Sequence, residues 1–87
     1  MSPRQYAALV ALVQRPGLMR EELDAITGAS NGPAVVQALR GRGLRADLLC
    51  RRVLSTDRWG RATRPGFYSL TPKGKQLARR ILKDARK

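Results

Sequence analysis

The 87-residue chain contains no histidine and a single cysteine, Cys50. Those two shortages exclude a Cys/His zinc site, a Ser-His-Asp triad, a Cys-His pair and any disulfide within the chain. Acidic residues are also few, six against eighteen Lys plus Arg, and they are scattered with no pair suited to two-metal hydrolysis. Gly74-Lys75 lacks the upstream glycine spacing and preceding strand of a phosphate-binding loop. No catalytic residue, metal or cofactor is therefore expected. No apolar run approaches the roughly 20 residues needed to span a membrane. Met1 to Gln5 show no basic-then-apolar leader, and a lone thiol without such a signal points to a reducing cytoplasm.

What the chain has in excess is positive charge. The formal net charge is +12 and the sequence pI is near 11.6. A hydrophobic content of 43% is enough for one modest core, so residues 1–87 are expected to form a single domain. The charge is uneven. Residues 1–43 hold five cations and three anions, whereas residues 44–87 hold thirteen cations and three anions. Arginine supplies fourteen of the eighteen cations, and its planar fork suits phosphate or guanine better than lysine does. A small domain with this excess most often meets nucleic acid.

Periodicity divides the chain. Residues 2–14 read as a helix capped by Ser2, with Pro3 at its first position, Gln5 completing a capping-box pattern, and Tyr6, Leu9, Val10 and Val13 as the inward stripe. A second helix spans 20–27, with Glu21, Glu22 and Asp24 near its positive end, Leu23 and Ile26 on its apolar side, and Gly28 as its stop. A third covers 31–42, capped by Ser30 or Asn31, with Val36 and Leu39 inward and Gly43 closing it in a left-handed conformation. The period then shortens. Strands are expected over 48–56 and 66–70, joined by a cationic loop over 57–65, and Thr71-Pro72 open a last helix over 72–85. The fold class is thus mainly α with a small β-hairpin.

The order helix, helix-turn-helix, basic hairpin, helix resembles the winged helix-turn-helix. The segment Gly17-Leu18-Met19-Arg20-Glu21-Glu22-Leu23 looks like the usual approach to the second helix of such domains. Ala29-Ser30-Asn31-Gly32-Pro33, leading into Leu39-Arg40-Gly41-Arg42-Gly43-Leu44, resembles small winged-helix proteins of phages and prophages. Tyr68-Ser69-Leu70-Thr71-Pro72-Lys73-Gly74 resembles the exit from the wing in MarR- and PadR-type regulators. Two features depart from the pattern. Met19 stands where a capping Ser or Thr is common, and the long dimerisation helices of MarR-type regulators are lacking, so no small-molecule effector is implied.

The resemblance implies a double-stranded DNA-binding protein of the cytoplasm and nucleoid, of the phage or prophage transcriptional-regulator type. An architectural, recombination-directing (excisionase-like) factor and an RNA-binding winged helix are the alternatives, and a homodimer stays open. The third helix would enter the major groove, exposing Asn31, Gly32, Ala34, Val35, Gln37, Ala38 and Arg42. Asn31 and Gln37 can read adenine, and Arg40 or Arg42 can meet guanine or phosphate. On the wing and its flanks the expected contacts are Arg45, Arg52, Arg58, Trp59, Arg61 and Arg64, with a weaker contribution from Lys73 and Lys75. Trp59 either folds back over the sheet or is offered to a sugar, base or protein. Cys50 is expected to be a small buried residue.

Overall fold

The computed structural model describes residues 1–28, 32–56, 58–63 and 65–85. Pro3–Gln14 form α1, where the Ser2 hydroxyl accepts the Gln5 N–H at 3.2 Å. The expected return bond from the Gln5 side chain is replaced by another: Gln5 Oε1 accepts from Arg42 Nε at 3.1 Å. The inward face of α1 is also rotated from the expected stripe. Ala8, Leu9, Ala11 and Leu12 are buried, while Tyr6, Val10 and Val13 are half-buried. The cause is that α1 packs against α2 (Arg20–Thr27), α3 (Gly32–Leu39) and α4 (Pro72–Ala85) together, and the small Ala8 and Ala11 permit close approach.

Leu18–Met19 form a short β1, an element that local periodicity does not announce. It pairs antiparallel with β5 (Gly66–Leu70), Leu18 opposite Tyr68 and Met19 opposite Phe67. Gly17 is needed there, because a Cβ would collide with the Phe67 ring and come within 2.8 Å of the Tyr68 carbonyl oxygen. Helix α2 starts immediately afterwards. Met19 offers no hydroxyl, but Glu22 Oε1 accepts its N–H at 3.0 Å and so supplies the reciprocal half of a capping box.

Beyond Leu39 the chain does not continue as α-helix to residue 42. Arg40–Leu44 widen into a π-type turn, with Gly43 at φ +120° and the Arg45 N–H returning to the Arg40 carbonyl. Gly41 and Gly43 weaken the α-helix here, and the positive φ expected of Gly43 allows Leu44 to fold fully into the core. Arg45 follows at φ +45°, ψ −125°, which places an L side chain in a conformation suited to glycine. A single 3₁₀ turn, Arg45–Asp47, then leads into β2 (Leu48–Arg52).

The sheet order is β1-β5-β2, antiparallel throughout. β2 and β5 pair from Leu48–Leu70 to Arg52–Gly66, and β3 (Ser55–Thr56) and β4 (Ala62–Thr63) continue in the same register. They form one ribbon, interrupted once. At the break the Val53 N–H donates to the Pro65 carbonyl at 3.1 Å, but proline has no N–H to return. The single expected strand over 48–56 is therefore two strands, and the connecting loop is shorter than 57–65. At the other end of β5 a latch forms. Asp47 Oδ1 accepts the Thr71 hydroxyl at 2.8 Å, its carbonyl accepts the Thr71 N–H at 2.9 Å, and Thr71 Oγ1 caps Gly74 N–H at 2.9 Å.

The core lies between the helices and the inner sheet face. Leu9, Leu12, Leu18, Leu23, Leu39, Leu44 and Leu48 are fully buried, each contributing about 1.5–3 kcal/mol of transfer free energy. Ala78 of α4 is buried with them, and Leu77, Ile81 and Leu82 pack at its margin. Among the described residues no helix is long and apolar enough to cross a membrane.

Two outcomes follow from this packing. Arg45→Gly relieves about 1–3 kcal/mol of backbone strain and loses up to about 1 kcal/mol to unfolded-chain entropy. The urea midpoint should therefore rise by the equivalent of about 1 kcal/mol, with no rise for Arg45→Ala. The second concerns Tyr68, whose hydroxyl is pushed above the ordinary value of 10.0 by burial and then by neighbouring Cys50, to which it is hydrogen-bonded. A raised native value favours the neutral ring, so this stabilisation is complete below about pH 10 and fades as pH rises through the native value. Thermal midpoints should therefore fall more steeply above about pH 10 for the native chain than for Tyr68→Phe.

Candidate nucleic-acid interface

The candidate surface consists of α3, the turn after it and the β-ribbon. Helix α3 is set against α2 by a specific bond. Asp24 Oδ1 accepts the Gly32 N–H at 3.0 Å, so a carboxylate from the preceding helix satisfies a donor at the start of α3. A Cβ on Gly32 would stand 2.5 Å from that oxygen and 3.2 Å from Leu23 Cδ2, so a side chain here would displace the Asp24 carboxylate from its bond. Asp24 is further held by Arg20, Nε to Oδ2 at 3.6 Å. The proposed caps Ser30 and Asn31, and with Asn31 one candidate base reader, lie outside the described residues.

The outward face of α3 is narrower than the sequence reading gave. Gly32 and Val35 are buried alongside Val36 and Leu39, and Ala38 is half-buried. The four buried positions follow the i, i+3, i+4, i+7 pattern of a helix packed on one face. That pattern includes Val35, which the choice of Val36 and Leu39 alone left outside. Pro33, Ala34 and Gln37 remain exposed. Among the described residues of α3, Gln37 is the exposed side chain able to donate and accept hydrogen bonds toward a base.

The arginines after α3 have internal partners. Arg40 is half-buried and donates to the Leu48 carbonyl through Nε (3.3 Å) and Nη2 (3.0 Å), tying the turn to β2. Arg42 is exposed, with Nε on Gln5. A guanidinium has five N–H donors, so each retains donors after these bonds. Arg45 is exposed at the strained position described above.

Along the ribbon, Arg51, Arg52, Arg58 and Arg61 are exposed, while Arg64 lies outside the described residues. Arg51 was missed by the sequence reading. Strand alternation places it on the outer sheet face opposite Phe67, one residue from Arg52 on the inner face, so the ribbon carries cations on both sides. Trp59 does not fold back over the sheet: it is 75% exposed, next to Gly60 at φ +77°. Cys50 is exposed rather than buried. It lies on the inner face opposite Tyr68, where the helical core ends, so the alternation was legible but the edge of the core was not. In the first turn of α4, Lys73 is exposed and Lys75 half-buried, with Arg79, Arg80 and Lys83 exposed further along.

Three of the six acids are arranged differently, while Glu21 and Asp84 are exposed and Asp57 lies outside the described residues. Glu22 holds the Met19 N–H and pairs with Arg15 at 3.4 Å, Asp24 holds Gly32 and Arg20, and Asp47 holds Thr71. These carboxylates are engaged with the helical body, while the ribbon displays cations.

No protein-family model matches the chain, and no curated protein matches it either.

Removing the Asp24 acceptor tests how α3 is placed. Asp24→Ala should lower stability by about 1 kcal/mol in urea unfolding, and Asp24→Asn, which keeps an oxygen toward Gly32, by less.

Proposed function

We propose that the chain is a winged helix-turn-helix protein that binds double-stranded DNA. In this reading α2 and α3 are the helix-turn-helix, the ribbon is the wing, and the protein works in the cytoplasm on the nucleoid as a phage- or prophage-type transcriptional regulator. The observation that carries the reading is the separation of charge. Arg51, Arg52, Arg58 and Arg61 are exposed on a ribbon, while Glu22, Asp24 and Asp47 are engaged within the body. A cationic ribbon in a domain that also carries a short, partly exposed helix suits a duplex, whose phosphates supply most of the binding energy.

The face of α3 determines how selective such a protein is. Pro33 and Ala34 can touch thymine methyls, and Gln37 can pair with adenine. One good side-chain–base pair is worth about 1–3 kcal/mol of discrimination, so affinity comes chiefly from backbone contacts. The same scarcity of readers favours a second reading, an architectural or recombination-directing factor that uses the identical surface on several adjacent sites.

Binding to random duplex DNA, duplex RNA and single strands across a salt series tests the proposal. With about six phosphates engaged, duplex-DNA affinity should fall roughly a thousandfold between about 50 and 200 mM salt. Arg58→Ala combined with Arg61→Ala should weaken binding to all sequences and reduce the salt slope by about two. Gln37→Ala should change sequence preference alone. A flat salt response, or a clear preference for RNA, overturns the reading.

A further inference from the structure

The ribbon ends in a residue that neither phosphate contact nor groove reading requires. Trp59 is 75% exposed in the turn between Thr56 and Ala62, and Leu54 is 74% exposed on the same ribbon. A tryptophan buries about 150–250 Å² when packed in a protein, and here the largest apolar side chain of the chain is displayed instead. Its sequence neighbour Arg58 and nearby Arg61 are exposed cations. An apolar ring set among cations is poorly suited to an apolar protein groove and well suited to a base flanked by phosphates.

Dimensions limit how that ring can reach a base. The molecule extends 46 Å along its long axis and 25 and 20 Å across it. Paired strands lie about 4.8 Å apart before side chains are counted, so a two-stranded ribbon fits a major groove of about 12 Å but not a minor groove of about 6 Å. At the minor groove only the tip can enter. A flat indole there matches the roughly 3.4 Å spacing of stacked bases and gains its contact by opening a base step.

We propose that Trp59 is a stacking wedge. Arg58 and Arg61 hold the flanking phosphates, the indole inserts between adjacent base pairs, and the duplex kinks at that step. The ligand is then a duplex with an easily opened step: a pyrimidine–purine step, a mismatch or a bulge. This rests on the DNA-binding reading and adds to it a preference for deformable or damaged stacking that α3 does not supply.

Trp59 is the only tryptophan, so its fluorescence reports directly on the wedge. Two labelled duplexes are compared by anisotropy, one fully paired and without pyrimidine–purine steps, the other identical but for a single-base bulge. The native chain should bind the bulged duplex about tenfold more tightly, as one base–aromatic stack implies, with quenching of the indole. In Trp59→Ala the bulged duplex should bind no better than the paired one, and Trp59→Phe should keep part of the preference. Equal affinity of the native chain for the two duplexes, or a preference that survives in Trp59→Ala, overturns the wedge. So does a Trp59-dependent self-association without change in DNA binding. A steep salt dependence on the paired duplex sustains the DNA-binding reading whichever way the wedge is decided, and failure to bind either duplex at low salt ends both.

Discussion

Leu9 and Leu12 of α1, Leu18 of β1, Leu23 of α2, Leu39 of α3, Leu44 of the turn, and Leu48 and Leu70 of the sheet meet in one core. A chain of 87 residues has little else to bury, so these elements are placed by where their leucines must go, and α4 joins them through Ala78. The consequence for the sheet is direct. Its inner face is apolar only as far as the rung of Cys50 and Tyr68, and the next rung pairs Arg52 with Gly66. Past that point the helices offer no apolar surface to cover a strand. The ribbon therefore continues as an exposed pair of strands, held by its own ladder and free to carry charge.

The polar contacts support the same division. Asp24 fixes the start of α3, Glu22 the start of α2, and Asp47 the start of α4 through Thr71. Each carboxylate that satisfies a helix end within the body is also one that does not neutralise the ribbon. A chain with few acids and many arginines thus obtains firm helix ends from three of its six acidic residues, which are placed away from the basic projection.

Features coded by local pattern were legible in the sequence. The bounds of α2, α4 and β5, the Ser2 cap and the positive φ of Gly43 all come from propensity, capping and alternation within a few residues. What escaped was set at a distance. β1 is two residues long and exists because β5 passes beside it. The Asp24 bond to Gly32 depends on how two helices meet, and the burial of Val35 on what lies beneath it. Cys50 and Trp59 were misplaced or left undecided because alternation gives the face of a strand and not where the covering layer stops. Of the candidate site, the cationic ribbon was readable from composition, whereas the bonds that engage Arg40 and Arg42 were not.

The strand order β1-β5-β2 leaves two open edges, and each is protected against pairing with another chain. β1 offers only two residues, too short a template for strand addition. β2 ends in Arg51 and Arg52, exposed cations of the kind that discourage strand addition along an open edge. The exposed arginines of the ribbon thus also disfavour the joining of two ribbons edge to edge. Like charge along an uncovered hairpin is one of the devices that oppose strand addition.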